Sequence, residues 1–363
     1  MIATKKPLQA PFPYFGGKRN IAAKIWERFG EVRNYVEPFF GSGAVLLNRP
    51  QPFDGTETVN DADGLVANFW RAVQSDPDAV AFHADWPVNE NDLHARHVWL
   101  VGQKETLQSR LDGDPDFYDA KIAGWWCWGM CCWIGSGFCS GKGPWQSIED
   151  ENGVRKLVHV GNAGQGINRK LVHVGDAGRG INRQLVHVGN AGQGINRQRV
   201  HVGDAGRGIN RQRVGAAIYE WMIELADRLR RVRVCSGDWS RVCGPTPTIK
   251  NGLTAVFLDP PYADTAKRKS DLYRVDSESV AHAVREWAIA NGDNPKMRIC
   301  LAGYDGEHAM PDSWQVVAWK ARGGYGSQGD GESTNGRDNA KRERLWFSPH
   351  CLPATPQQRD MFQ

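Results

Sequence analysis

The stretch NYVEPFFGSGAVLL, residues 34–47, decides the fold. A short apolar run stops on Glu37, passes through Gly41 and Gly43, and resumes as an apolar segment of helical character. A strand, a glycine-rich turn and a helix make the first half of a parallel α/β unit. The same order recurs outward from it. ETVNDADGLVANFWRAVQ (57–74) is a second strand-turn-helix unit with Asp61 at the strand end. VRVCSGD (232–238), TAVFLDPP (254–261) and MRICLAGY (297–304) read as further buried strands. RNIAAKIWERFG (19–30), AAIYEWMIELADRLRR (216–231) and SESVAHAVREWAIA (277–290) read as helices. Such alternation predicts a parallel sheet covered on both faces, with any ligand outside the carboxyl ends of the strands. Glu37, Asp61, Asp238 and Asp259 fall at four of those ends, a placement that one ligand cleft explains better than coincidence.

The 363 residues, 40% hydrophobic and 24% charged, suit a globular chain with a sizeable core. No apolar run reaches the roughly 18 residues of a membrane-spanning helix, and the N-terminus lacks a signal-type apolar segment, so a cytoplasmic location is expected. Cys127, Cys131, Cys132 and Cys139 lie in the Trp-rich stretch WWCWGMCCWIGSGFC (125–139) without paired zinc spacing or a histidine. They read as small buried apolar residues, and no metal is expected. The competing reading of the tryptophans Trp125, Trp126, Trp128 and Trp133 is a wedge that contacts bases.

The net charge of +4 is unevenly spread, because residues 156–211 alone carry nine Lys and Arg against two Asp. That segment is a tandem array of four 14-residue units, the first KLVHVGNAGQGINR. Three glycines per unit disfavour helix. Short strands stacked side by side fit, as does a segment that orders only on a ligand. Arg169, Arg183, Arg197 and Arg211 recur at fixed intervals, as phosphate contacts along a groove would. A tandem expansion tolerated in a surface loop is the competing explanation.

EPFFGSG (37–43) lets backbone approach a ligand, but it lacks the Lys-Ser/Thr ending of a phosphate loop and the G-x-G-x-x-G pattern. A nucleoside without a phosphate chain is the better ligand. Asp61 suits a ribose hydroxyl pair and Asp238 an adenine amine, with helix capping or a turn as the alternative for each. In LDPPYAD (258–264), Asp259 and the Pro260 carbonyl can accept the two hydrogens of an exocyclic amine. The fixed φ of the prolines holds that geometry in advance, and Tyr262 offers a ring for a planar base, worth roughly 1–3 kcal/mol.

Together PFPYFGGK (11–18), VEPFFGSGAV (36–45), NDADGLVANFWRAV (60–73), VCSGD (234–238), FLDPPY (257–262) and NAKRERLWFSP (339–349) make the chain resemble the D12, Dam-like class of DNA adenine-N6 methyltransferases, in particular its phage-borne members. The resemblance implies a Rossmann-like, S-adenosylmethionine-dependent α/β fold with an inserted target-recognition region. It implies a cofactor pocket of Tyr14, Gly16, Gly17, Lys18, Glu37, Phe39, Gly41, Gly43, Asp61, Asp238 and Asp259, and a catalytic claw of Asp259, Pro260, Pro261 and Tyr262. Whether Lys18 meets cofactor, DNA or Asp259 stays open. The expected division is a discontinuous catalytic domain, 1–75 and 214–363, around a recognition insert, 76–213, that departs from the family by its Trp/Cys-rich stretch and repeats. Double-stranded DNA is the expected partner and a monomer or weak dimer the expected state. A methyltransferase for cytosine N4, RNA adenine or a glutamine side chain, and an inactive DNA-binding repeat protein, remain the rival readings.

Overall fold

The structure, a computed structural model, describes residues 8–14, 17–51, 53–133, 138–139, 145–149, 155–159, 187–188, 201–202, 211–261, 278–319 and 342–354. In chain order the elements are α1 (Arg19–Phe29), β1 (Asn34–Glu37), the single turn α2 (Ala44–Leu47), β2 (Thr56–Asp61), α3 (Gly64–Ser75), α4 (Pro77–Ala84), α5 (Glu90–Gly102), α6 (Lys104–Gly113), α7 (Ala120–Cys132), β3 (Trp145–Glu149), β4 (Arg155–His159), β5 (His187–Val188), β6 (His201–Val202), α8 (Arg211–Leu229), β7 (Val232–Ser236), β8 (Thr254–Leu258), α9 (Glu278–Gly292), β9 (Met297–Tyr304), β10 (Gln315–Ala318) and β11 (Glu343–Phe347). Among the described residues no helix is long and apolar enough to cross a membrane.

Seven strands form one sheet in the order β10-β11-β9-β8-β1-β2-β7. β7, β2, β1, β8 and β9 pair in parallel, and β11 and β10 continue the sheet antiparallel. The expected Rossmann-like α/β sheet is thus present, with a mixed edge. Its two faces follow from the two-residue period of a strand. Tyr35, Phe257, Cys300 and Leu345 join a core with α1, α3, α7 and α8. Their neighbours Val36, Val256, Ile299 and Trp346 join a separate core with Val284 and Ala288 of α9. Strands buried on both faces lose the polar alternation of a half-exposed sheet, which is why they read as continuous apolar runs.

The Trp-rich stretch forms α7 inside the first core. Trp126 meets Phe12 edge-on with centroids 4.8 Å apart, and Trp128, Cys127, Cys131 and Cys132 have no exposed surface. Burial pushes the Cys127 and Cys132 thiols well up, which leaves them inert. The packing reading of this stretch therefore holds over the wedge. A helix apolar on all sides is what a position between α3, α4 and α5 demands.

A buried ion cluster ties the later helix to the earlier strands. Arg228 of α8 grips Glu57 of β2 with two bonds, 2.7 and 2.9 Å, and Arg49 adds a third at 3.1 Å. In the tandem array, β5 and β6 pair in parallel with His187 opposite His201, one 14-residue unit apart. The rest of these units lies outside the described residues. The polar stretch 320–341 lies outside the described residues.

Candidate active site

The order of strands reverses at β1, which has β2 on one side and β8 on the other. A cleft opens at the carboxyl ends there, as the topology of parallel sheets dictates. It encloses about 950 Å³ of empty space with its open mouth included. Glu37, Asp61, Asp238 and Asp259, dispersed over 223 positions of sequence, all border it.

The turn after β1 is held by backbone hydrogen bonds. Gly41 adopts φ +47°, and a Cβ there would stand 2.5 Å from the Tyr14 ring. Its N–H donates to Asp61 Oδ2 at 2.8 Å and its carbonyl accepts from Trp70 Nε1 at 2.8 Å. The other oxygen of Asp61 accepts from Asp63 N at 2.9 Å. Asn60 Nδ2 reaches the carbonyls of Pro38 and Gly237 at 3.1 and 2.9 Å and ties two loops together. Gly43, at φ +62°, backs onto the Phe40 ring and stands behind the cleft wall.

Glu37 sits at the floor, 2% exposed, and accepts from the Tyr35 hydroxyl at 2.8 Å and from Leu46 N at 3.3 Å. Burial lifts its carboxyl well above the ordinary range, and those two donors only partly offset that. Asp238 caps the short 3-10 turn Trp239–Val242, accepting from Ser240 N at 2.9 Å, so the capping alternative is realised while the residue still borders the cleft. Trp239 follows it and faces Phe39, centroids 6.3 Å apart and rings 28° from parallel.

Asp259 leaves the end of β8 and meets Lys18 Nζ at 3.0 Å. Glu343 of β11 reaches the same ammonium at 3.7 Å. Burial alone would drive the Lys18 ammonium towards its neutral form, but the two carboxylates outweigh it and hold its pKa above the usual lysine value. Of the three partners considered for Lys18, Asp259 is thus in contact with its ammonium. Pro261 borders the cleft, and Pro260, between it and Asp259 in the chain, is buried.

Tyr14, Gly17, Lys18, Glu37, Phe39 and Gly41 are thus brought to one cleft with the three aspartates. Gly16, Tyr262, Arg169, Arg183 and Arg197 lie outside the described residues, and Arg211 is the first residue of α8. Sequence reasoning missed Asn60, Trp239 and Glu343. Trp239 could have been found, since it directly follows Asp238 in SGDW.

Residues 14–95 match the family model described as D12 class N6 adenine-specific DNA methyltransferase. No curated protein matches the chain. The chain thus carries a D12-class segment over residues 14–95. It is a DNA methyltransferase that methylates adenine at N6 and takes the methyl group from S-adenosylmethionine. The matched segment carries the lysine, the glycine turn and Asp61, while Asp259 comes to the same cleft from outside it. The cleft suits the cofactor in its chemistry. Five carboxyl groups, those of Glu37, Asp61, Asp63, Asp238 and Asp259, border the cleft, and S-adenosylmethionine presents a sulfonium, an ammonium, ribose hydroxyls and an adenine amine, all positive or hydrogen-donating. The lysine on its wall is engaged by two carboxylates, so no cationic cradle for a phosphate chain forms there among the described residues.

Proposed function

We propose that the residues of this cleft divide the work of adenine-N6 methylation as follows. S-adenosylmethionine supplies a methyl group on a positively charged sulfur. Tyr14, Gly17, Glu37, Phe39, Gly41, Asp61 and Asp238 bind that cofactor, with Gly16 and Gly43 shaping the backbone around it. Asp259 and the Pro260 carbonyl accept the two amino hydrogens of an adenine turned out of the duplex, at a cost of a few kcal/mol in lost stacking. Tyr262 stacks on the base, and Pro261 fixes its approach. The nitrogen lone pair then faces the donor, and the proton it sheds on gaining carbon passes towards the Asp259 carboxylate. The observation that carries this reading is the Asp259 carboxylate bordering an acceptor-lined cleft, 3.0 Å from a buried lysine. Expression with plasmid DNA should yield N6-methyladenine by mass spectrometry, and Asp259→Ala should abolish it. Methylation that survives this substitution rejects the assignment.

We further place residues 1–75 and 214–363 in the catalytic domain and 76–213 in target recognition. The protein would work on double-stranded DNA in the cytoplasm of a bacterial or phage-infected cell, as a monomer or weak dimer, where methylation guards DNA against restriction. In-register pairing of β5 with β6 supports a regular array that repeats its arginines, including Arg169, Arg183, Arg197 and Arg211, along the DNA. Excision of two units, 28 residues, should weaken DNA binding and flatten its salt dependence. An unchanged salt slope removes this role.

A further inference from the structure

The geometry points to Glu343 as a positioning residue for the methyl transfer, acting on Asp259 through Lys18; this rests on the reading that Asp259 holds the base amine. Glu343 is the first residue of β11 and pairs with Tyr304 at the carboxyl end of β9. Because β11 runs antiparallel, its beginning lies at the end of the sheet where β8 delivers Asp259. Its backbone carbonyl also accepts from Trp319 N at 3.2 Å, so the residue is fixed from both neighbouring strands. The Trp319 ring lies 5.8 Å from Lys18 Nζ, and Lys18 and Glu343 are 2% and 5% exposed.

One ammonium thus stands between two carboxylates, the nearer at 3.0 Å and the farther at 3.7 Å. A single buried lysine against a single aspartate would form a neutral pair. That pair would offer the substrate amine a poor acceptor, and little negative charge to oppose the positive charge that develops on the attacking nitrogen. With Glu343 sharing the ammonium, the cluster keeps one net negative charge. Lys18 can then lean towards Glu343 when the base amine arrives at Asp259. Charge placed in advance where charge develops is the kind of electrostatic contribution that lowers a barrier without tightening ground-state binding.

Single-turnover methylation of duplex DNA by the full chain tests this, with cofactor and DNA affinities measured alongside. Glu343→Gln should slow the transfer roughly tenfold to a hundredfold, less than the roughly hundred- to thousandfold loss of a direct stabilising contact. Both affinities should stay within about threefold, and Glu343→Asp should recover part of the rate. In a Lys18→Met background the same Glu343→Gln change should have no further effect, because its route to Asp259 is gone. An unchanged rate, or an equal loss in both backgrounds, overturns the role. If Glu343→Gln does not fold, the charge-preserving Glu343→Asp carries the test, and full activity with the carboxylate drawn back by one methylene overturns it. Asp259→Ala is run beside them. If it keeps activity, the claw reading fails. If it is inactive while Glu343→Gln is normal, only the role of Glu343 fails.

Discussion

On the β2 side of the cleft the acid works through backbone: Asp61 takes the N–H groups of Gly41 and Asp63, and Asn60 and Trp70 lock the same turn. On the β8 side the acid works through charge: Asp259 meets the ammonium of Lys18, which Glu343 also holds. Both residues end a parallel strand, and both read alike in sequence. Their neighbours differ in mobility. A backbone N–H cannot leave its acceptor without unwinding the turn, whereas a lysine side chain can shift between two carboxylates. The first arrangement suits a rigid seat for a cofactor, and the second suits an acceptor that must change partners when a substrate arrives.

The largest expected effect on stability breaks the charged side. Lys18→Met would leave Asp259 and Glu343 facing one another without their cation, and removal of one partner from a buried cluster costs about 3–5 kcal/mol. Asp259 is 21% exposed, so the lower end is expected, read as a drop in the denaturation midpoint. Next comes the backbone side. Gly41→Ala forces a side chain into φ +47° against the Tyr14 ring. The left-handed region alone costs roughly 1–2 kcal/mol. Calorimetry should show weaker cofactor binding together with the lower stability.

The smallest effect concerns the floor between the two sides. Burial raises the Glu37 carboxyl well above its ordinary value of 4.5, so the folded chain holds this proton more tightly than the unfolded chain. The stability it contributes is complete below that ordinary value and is lost as pH climbs through the raised one. Glu37→Gln removes the loss. Thermal melts without cofactor should therefore show the variant gaining on the parent as pH rises from about 4.5 to neutrality, while its cofactor affinity falls. A parallel pH dependence in both proteins would contradict the assignment.

The backbone side was far more legible in sequence than the charged side. Strand, glycine turn and helix lie within NYVEPFFGSGAVLL, and Asp61 falls one unit later, so local pattern and spacing were enough. The charged side assembles residues 18, 259 and 343, whose proximity depends on sheet order and on the reversed direction of β11. No spacing encodes that. NAKRERLWFSP reads as a family segment, yet nothing in it says that Glu343, and not Arg342 or Arg344, reaches Lys18. α7 was hidden for another reason, since a helix that is apolar at nearly every position has no separate apolar stripe to reveal its period. Asp238 shows the reverse case, where a residue expected at the cleft is there and also caps the following turn.

The central claim is that Asp259 is the acceptor that presents the adenine amine. The most direct measurement is the single-turnover rate of Asp259→Asn on duplex DNA under saturating S-adenosylmethionine, with cofactor affinity determined separately. The rate should fall by about a thousandfold or more while affinity stays within about tenfold. A variant that binds the cofactor and methylates adenine at the parent rate would contradict it.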